Sequence, residues 1–359
     1  MRSALVYCEK YLEFAFTPPS LRWNWTERNR LFMRLFERYG LDEYVDVVEP
    51  LPASEEELML VHDRKYVDYV KEISKRGVGY LDYGDTPAYR GVYEDAALAF
   101  GGTSKLVDLV LGGMYRSGFN MQGGFHHARR DSAAGFCVFN DVALAALKAH
   151  RRGLRVAVVD VDGHHGDGTQ SILYREPVLK ISIHKYGYGF YPGTGDVDEL
   201  GEGEGLGYSV NIPLPHGAGD DALGYALEEV VKPLLEKYEP EFLVLQMGAD
   251  GHLGDPLVGL RLTSISYRKL ARELKRIANE YAEGRIVGLG GGGYDPEATA
   301  RMWMITFCEI AEVPQELRDG VYGDLRDGVE GTASSPRVLD VVRDRVKRLK
   351  KSLRDLEML

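Results

Sequence analysis

Five ionisable side chains follow one short apolar run in VAVVDVDGHHGDGTQ, the segment that spans residues 156–170. The run from Val156 to Val159 has the near-continuous apolar character of a strand buried on both faces. The ionisable residues are Asp160, Asp162, His164, His165 and Asp167. Removing even one charge from water costs several kcal/mol, by order of magnitude. So many such groups at the end of a core strand indicate a functional site.

Asp162 and His164 are the first candidates for metal ligands. They lie two residues apart, and an extended backbone places side chains of that spacing on the same side. A carboxylate and an imidazole that converge in this way suit zinc, and a catalytic zinc usually has three protein ligands and one open position for water. Asp250, at the end of LVLQMGAD, is the natural third ligand. The alternative is that Asp162 and His164 are only hydrogen-bonded loop residues.

Two adjacent histidines, His126 and His127, follow the glycines of MQGGFHHARR. They can be surface residues, a second metal site or a general acid/base pair, because histidine has an unperturbed pKa of about 6.5. A catalytic histidine needs a partner that fixes its tautomer. Asp160 and Asp167 are the carboxylates that remain once Asp162 is assigned to the metal, so the sequence permits two His–Asp pairs.

Four glycines, Gly290 to Gly293, precede Tyr294 in LGGGGYDP. Such a run permits backbone conformations that are closed to other residues. It can form a tight turn or bind phosphate, but the Lys-Ser/Thr of a P-loop and the GxGxxG spacing are both absent. A tyrosine presented by such a loop can donate a hydrogen bond to a developing oxyanion.

Strand-like and helix-like stretches alternate along the chain, which predicts an α/β fold with a mostly parallel sheet and helices on both faces. The strand candidates are SALVY, YVDVVEP, VAVVDVD, VLKISIHK, YSVNIPL, FLVLQMGAD and IVGLGGGG. Helices are predicted at 26–39, 54–74, 91–112, 140–152, 220–238, 266–282 and 296–311. Polar clusters follow four of the strands. Because ligands in open α/β sheets bind outside the carboxyl ends of the strands, we expect one shared pocket.

The composition limits the classes of function. The chain has 359 residues, of which 44% are hydrophobic and 28% charged, as is typical of a soluble globular protein. Its formal net charge of −11 argues against nucleic acid as a direct partner. No apolar run approaches the ~20 residues that span a bilayer, and the N-terminus lacks a secretory signal. The scattered cysteines Cys8, Cys137 and Cys308 favour a reducing cytoplasm.

We predict a single catalytic domain in residues 1–320 and a C-terminal helical extension in residues 321–359 that packs on or near it. The extension contains VLDVVRDRVKRLKKSLRDLEML, which has the pattern of an amphipathic helix. Its Lys/Arg run is interpreted as a solvated helix face rather than a nucleic-acid site. The sequence does not determine the oligomeric state.

Seven segments resemble the histone deacetylase superfamily, in particular the prokaryotic acetoin-utilisation-type deacetylases. They are GDTPAYRGVYEDAALAFGGT (84–103), GGFHHARRDSAAGFCVFNDVA (123–143), VDVDGHHGDGTQ (159–170), ISIHKYGYGFYPGTGD (181–196), YSVNIPLP (208–215), QMGADGHLGDPL (246–257) and GLGGGGYDPEATARMW (288–303). They lie in the family's order and cover most of residues 55–310. The resemblance implies an arginase-like α/β fold and hydrolysis of an acetylated amine.

The resemblance also implies the positions of the bound ions and of the substrate. Zinc, or ferrous iron in its place, would be bound by Asp162, His164 and Asp250. A structural potassium ion would contact Asp160, Asp162, His164, Ser182 and Ile183. A narrow substrate channel would be lined by Gly135, Phe136, Tyr191 and Leu257. Asp85, at the rim, would hold the backbone of a peptide substrate.

For the catalytic groups, the resemblance implies that His126 pairs with Asp160 and that His127 pairs with Asp167. His127 would act as general base and then as general acid. Tyr294 would polarise the carbonyl group. The division of labour between the two histidines stays open.

The chain departs from the family pattern in three places. The His-Pro pair that members often carry near residue 20 is absent from FTPPSLRWNWTERNRL, in which Arg28 is the candidate for the accompanying arginine. Tyr191 stands where a phenylalanine is common, and Gly163 is smaller than the usual apolar residue. None of these changes removes a catalytic group.

The expected substrate is Nε-acetyl-lysine in a protein or peptide. An acetylpolyamine amidohydrolase is the alternative within the same chemistry, and Asp85 favours peptides because a free polyamine has no backbone N–H groups. A two-manganese ureohydrolase would need additional carboxylates in GADGHLGDP, which offers Asp250 and Asp255 but no D-x-D. A non-catalytic acetyl-lysine binder would be favoured by loss of Tyr294 or of a metal ligand, and all of these are present.

Overall fold

One eight-stranded sheet organises the protein, which is described here by a computed structural model for residues 2–16 and 25–359. The strands are β1 (Ser3–Val6), β2 (Val45–Val48), β3 (Ser117–Asn120), β4 (Val156–Asp160), β5 (Leu179–Lys185), β6 (Ser209–Leu214), β7 (Phe242–Gln246) and β8 (Ile286–Leu289). Their order is β2-β1-β3-β8-β7-β4-β5-β6, and every pairing is parallel. The predicted α/β fold with a parallel sheet is therefore confirmed.

Helices connect the strands and cover the sheet. They are α1 (Trp25–Arg38), α2 (Glu55–Leu58), α3 (Arg64–Arg76), α4 (Val92–Leu111), α5 (Asp141–His150), α6 (Asp167–Leu173), α7 (Asp220–Ala226), α8 (Lys232–Tyr238), α9 (Ser264–Tyr281), α10 (Pro296–Ile310), α11 (Gln315–Leu325) and α12 (Pro336–Asp355). A π-helical turn, Leu227–Val231, joins α7 to α8. Helix α4 packs on α5, and α10 packs on α1 and α9. Across residues 2–16 and 25–359, every helix is too short or too polar to cross a membrane.

Several predicted elements differ from the observed ones. The predicted helix 54–74 is two helices, α2 and α3, because the chain turns between them and the amide of Asp63 donates to the carbonyl of Arg130. Three predicted strands end early: β4 ends at Asp160, β7 at Gln246 and β8 at Leu289. After β4 the amide of Asp162 binds the side chain of Asp160 at 3.1 Å, and after β8 the amide of Gly292 binds the side chain of Asp162 at 2.7 Å, so these residues leave the sheet.

The C-terminal helices belong to the same hydrophobic core as the sheet. Helix α11 runs across residue 320, where the predicted domain boundary lies, and α12 packs against β6 and α7. The apolar stripe of α12 is buried through Val342, Val346, Leu349 and Leu353. Its predicted amphipathic character is thus present, and the division at residue 320 stays a prediction.

Replacing Leu349 by alanine tests whether α12 is an integral part of the fold. Leu349 is fully buried. We expect Leu349→Ala to lower the free energy of unfolding by about 2–5 kcal/mol, the usual loss for a buried leucine. Urea unfolding followed by circular dichroism measures it, with exposed Lys351→Ala on the same helix as the control. If Leu349→Ala unfolds in a single transition at the same urea concentration as the wild type, α12 does not contribute to the stability of the catalytic domain.

Candidate active site

The site lies at the carboxyl edge of the sheet, where four neighbouring strands end. Strands β3, β8, β7 and β4 are adjacent in that order. The loops after them carry the two histidines (after β3), the GGGGY segment (after β8), Asp250 (after β7) and the D-x-H pair (after β4). Sequence analysis expected polar clusters after β4, β5, β7 and β8. Parallel strands bring the loops of β4, β7 and β8 to one edge as expected, and β3, which was not predicted, adds the two histidines.

Asp162, His164 and Asp250 form one buried cluster. One ligand atom from each lies within 4.8 Å of the others. His164 Nδ1 is 2.8 Å from Asp250 Oδ2 and 3.3 Å from Asp162 Oδ1. Burial and the nearby carboxylate of Asp162 raise the pKa of Asp250 to about 7. Two buried carboxylates and an imidazole in this arrangement suit a divalent metal, whose charge would offset the repulsion between the carboxylates.

Backbone amides and one glutamine orient the two carboxylates. Asp162 Oδ2 accepts hydrogen bonds from Gln246 Nε2 at 2.9 Å and from the amide of Gly292 at 2.7 Å. The amide of Gly163 donates to Asp250 Oδ1 at 2.6 Å. A Cβ atom on Gly292 would lie 2.5 Å from Asp250 Oδ2, so only glycine allows the backbone to come this close. The carboxylates are therefore fixed by the protein itself.

Each of the two adjacent histidines has its own aspartate. His126 Nδ1 is 2.8 Å from Asp160 Oδ2, and His127 Nδ1 is 2.7 Å from Asp167 Oδ1. The two imidazoles meet through their Nε2 atoms at 3.1 Å. Arg129 Nη2 donates to the second oxygen of Asp167 at 2.8 Å. Both His–Asp pairs that the resemblance implies are thus present, and all four of their side chains are buried.

The two histidines differ in charge. Burial, together with the charge of neighbouring His126, lowers the pKa of His127 to about 4. Burial also opposes protonation of His126, but the charges of Asp160 and Asp162 outweigh it and raise the pKa of His126 to about 9. At neutral pH, His127 is therefore the neutral imidazole that can accept a proton, and His126 is the cation.

The potassium ligands implied by the resemblance lie on neighbouring strands. Asp160, the last residue of β4, is in register with Ser182 on β5, and Ile183 follows it. Ser182 Oγ is 2.9 Å from Nδ1 of buried His184. The structure thus brings the Asp160 region and β5 together, and ion binding there stays a prediction.

Tyr294 lies between the metal cluster and the rim. Its ring centroid is 6.4 Å from those of both His164 and Phe136, and its amide donates to Asp255 Oδ2 at 2.8 Å. Burial raises the pKa of its hydroxyl well above the usual value, so the hydroxyl stays protonated and can donate. Buried Arg28 donates to the carbonyl of Gly291 at 2.8 Å and also to that of Gly293, and so holds the glycine loop. The atypical residues 17–24 before it lie outside the described part of the chain.

The predicted channel residues surround the entrance to this cluster. The ring of Tyr191 is 5.0 Å from that of His127, and Gly135 lies beside the same imidazole. Leu257 is 40% exposed, which places it at the surface. The amide of Phe136 donates to Thr86 Oγ1 at 3.0 Å, which ties the channel to the loop of half-buried Asp85.

Asp82 organises the loop that carries Asp85. Its carboxylate accepts the amides of Gly84, Asp85 and Thr86 at 2.9–3.1 Å, together with the hydroxyl of Thr86. Burial and the neighbouring Asp82 raise the pKa of Asp85 to about 7. The rim carboxylate therefore titrates near neutral pH.

Sequence analysis missed four residues that complete the site. They are Arg129, Phe190, Gln246 and Asp255. Phe190 stacks on His164, with ring centroids 5.0 Å apart and planes at 12°. Gln246 could have been found from the sequence, because it is a polar residue at the end of the apolar strand FLVLQ. Stacking by Phe190 depends on the path of a loop, which no local pattern reveals.

Comparison with known proteins identifies the family of the chain. The histone deacetylase domain matches residues 24–310 of the chain. The acetoin utilization protein AcuC of Bacillus subtilis is 40% identical over 276 residues, which are 72% of this chain and 70% of that protein. Histone deacetylase 8 of Xenopus tropicalis is 38% identical over a region that covers 75% of this chain and 74% of that protein. The histone deacetylase-like amidohydrolase of Pseudomonas aeruginosa is 36% identical, with coverage of 90% and 84%.

Proposed function

Because this chain belongs to the histone deacetylase family and is a deacetylase-type hydrolase, we propose that it removes acetyl groups from Nε-acetyl-lysine in proteins or peptides. The catalytic metal of this proposal is zinc, or ferrous iron in its place. The observation that carries the proposal is the buried Asp162–His164–Asp250 cluster next to two His–Asp pairs. A metal site, a proton acceptor and a hydroxyl donor would thus lie together at the carboxyl edge of the sheet.

The metal would be held by Asp162, His164 and Asp250. When bound, a divalent ion of this kind polarises a carbonyl and lowers the pKa of a coordinated water to about 7. A set of three protein ligands would leave one coordination position of the metal open for water or substrate. Gln246 and the amide of Gly292 orient the carboxylate of Asp162 through hydrogen bonds.

The protein's own groups move the proton and stabilise charge. His127 is neutral, so its Nε2 can accept the proton of the attacking water, and Asp167 holds its tautomer through Nδ1. The same histidine can then give that proton to the departing lysine amine. Tyr294 donates a hydrogen bond to the carbonyl oxygen as negative charge develops there. Cationic His126 adds electrostatic support for that charge.

Two further parts of the proposal concern the second ion and the compartment. A structural potassium ion at Asp160, Asp162, His164, Ser182 and Ile183 would neutralise carboxylate charge behind the catalytic metal. The protein would work in the cytoplasm, since Cys8, Cys137 and Cys308 are all free thiols.

A deacetylation screen with metal analysis tests the proposed function. Purified protein is incubated with acetyl-lysine peptides and with acetylated polyamines, and metal content is measured on the same preparation. We expect release of acetate from peptides by protein that carries one divalent metal per chain. Protein that holds its metal but releases no acetate from any of these amides would contradict the proposal.

The rim predicts a preference for peptides over free polyamines. Asp85 can accept hydrogen bonds from backbone N–H groups, which only a peptide offers. Bonds to a charged group contribute roughly 1.5–3 kcal/mol, so Asp85→Ala should lower kcat/KM for a peptide by about 10–100-fold. Turnover of an acetylpolyamine should stay within about twofold and serves as the internal control. Equal losses for both substrates would contradict a peptide-holding role.

The same preference should depend on pH. Asp85, which faces Asp82 and Tyr191, has a pKa near 7, so its carboxylate is lost as the pH falls through that value. The ratio of kcat/KM for peptide to that for polyamine should therefore rise between about pH 6 and 8. Asp82→Asn removes the neighbouring charge, lowers the pKa of Asp85 and should move the rise to lower pH. The ratio cancels the titration of the catalytic histidines, so a flat ratio would be evidence against Asp85.

A further inference from the structure

The carboxylate of Asp327 connects three elements around the active site. It lies in the segment between α11 and α12 and is only 12% exposed. Asp327 Oδ2 accepts the amide of Ser264 at 2.8 Å, and the Asp327 amide donates to Ser264 Oγ at 2.9 Å. Arg301 donates to Asp327 Oδ1 from both terminal nitrogens at 3.1 Å. This one side chain therefore joins the start of α9, the middle of α10 and the C-terminal segment.

The third partner residue of Asp327 comes from the loop of Asp250. His252 lies two residues after Asp250, and its Nε2 is 3.1 Å from Asp327 Oδ1. The amide of Gly254 donates to His252 Nδ1, so Nε2 carries the proton and donates to the carboxylate. The turn that holds Asp250 and Asp255 is thereby fastened from behind by Asp327.

Arg301 connects Asp327 to α10, the helix that follows Tyr294. Arg301 is in α10, which begins two residues after Tyr294. Its Nη1 also donates to the carbonyl of Leu325, so α10 is fastened to the end of α11. The loop of Asp250, through His252, and α10, through Arg301, thus share one carboxylate, which contacts neither Asp250 nor Tyr294.

We propose that Asp327 is a positioning residue that fixes the loop of Asp250 relative to α10, the helix that follows Tyr294. This inference rests on the proposed metal-dependent deacetylase function. It makes the C-terminal segment a working part of the active site, although that segment lies outside the matched deacetylase domain at residues 24–310. Residues that support metal ligands from behind typically change metal affinity or activity by about 10–100-fold when replaced.

Asp327→Asn tests the inference, because asparagine has almost the same shape but no charge. The matched control is Asp324→Asn, which removes an exposed carboxylate in α11 that pairs with Arg38 and Tyr39 instead. For each protein we would measure the melting temperature, the affinity of the metal-free form for Co²⁺ from its visible absorption, and kcat and KM on an acetyl-lysine peptide. We expect Asp327→Asn to lose about 10–100-fold in Co²⁺ affinity and in kcat with KM little changed, and Asp324→Asn to match the wild type.

A double-mutant cycle separates positioning from a general loss of stability. If Asp327 acts through the loop of Asp250, His252→Asn should reproduce much of its effect on Co²⁺ affinity, and the double variant should lose less than the product of the two single losses. His252→Asn also carries the test if Asp327→Asn does not fold. Wild-type Co²⁺ affinity and kcat in Asp327→Asn would overturn the inference. If that variant does not fold, the same result in His252→Asn would overturn it.

The Co²⁺ measurement also distinguishes failure of the proposed deacetylase function from failure of the positioning role of Asp327. A wild-type protein that binds Co²⁺ but hydrolyses no acetyl-lysine would refute the proposed function. The change in Co²⁺ affinity and absorption between wild type and Asp327→Asn would still decide whether Asp327 positions the loop of Asp250.

Discussion

Asp250→Asn protein will fold, lose its catalytic metal and fall in kcat/KM by roughly 10³-fold or more. The metal supplies several kcal/mol of transition-state stabilisation, and each loss of about 1.4 kcal/mol costs a factor of ten. Asp250 is one of the three buried residues proposed as metal ligands, and its Oδ1 accepts the amide of Gly163, a contact that asparagine can keep through its own oxygen. The fold around the cluster should therefore survive, while the charge that holds the ion disappears.

Metal content by mass spectrometry and kcat/KM on an acetyl-lysine peptide measure this result. Asp198→Asn is the control, since it removes an exposed carboxylate that pairs with Arg348 far along the chain. In the metal-free state the melting temperature should change little, because relief of the repulsion between Asp162 and Asp250 is opposed by loss of the charged contact between Asp250 Oδ2 and His164 Nδ1. Two equivalent metals per chain in the wild type would instead revive the two-manganese ureohydrolase hypothesis.

Tyr294→Phe protein will keep its metal and lose about 10²–10³ in kcat, the usual cost of removing one oxyanion donor. The substitution deletes only a hydroxyl, and the backbone contact with Asp255 remains. Because the hydroxyl acts on charge that develops in the transition state, KM should change far less than kcat. Steady-state kinetics on a verified acetyl-lysine substrate separate the two constants.

The control for this variant is another buried tyrosine. Tyr267 is 4% exposed and its hydroxyl has no hydrogen-bond partner within the described residues, so Tyr267→Phe removes the same atom without removing a hydrogen bond. It should turn over substrate at the wild-type rate. Wild-type kcat in Tyr294→Phe would show that another group polarises the carbonyl.

Features set by local sequence could be predicted, whereas those set by distant parts of the chain could not. Strand β4 and the Asp162–His164 pair were predictable because an apolar run followed by D-x-H is a local pattern. Strand β3, SGFN, was missed because glycine and asparagine are poor strand formers, and its position between β1 and β8 comes from the sheet. The role of Asp327 was not predictable, because its partners lie 26 to 75 residues away.

The close approach of Gly292 to the ligand carboxylates has a consequence for how this protein can change over evolutionary time. A single base change that turns this glycine into a larger residue would push atoms into the space that Asp162 and Asp250 occupy. The codons for Asp162, His164 and Asp250 would be unchanged, and a search for these three residues would still score the descendant as intact. Retention of the proposed metal site in this lineage therefore depends on the absence of a side chain at Gly292 as much as on the ligand side chains.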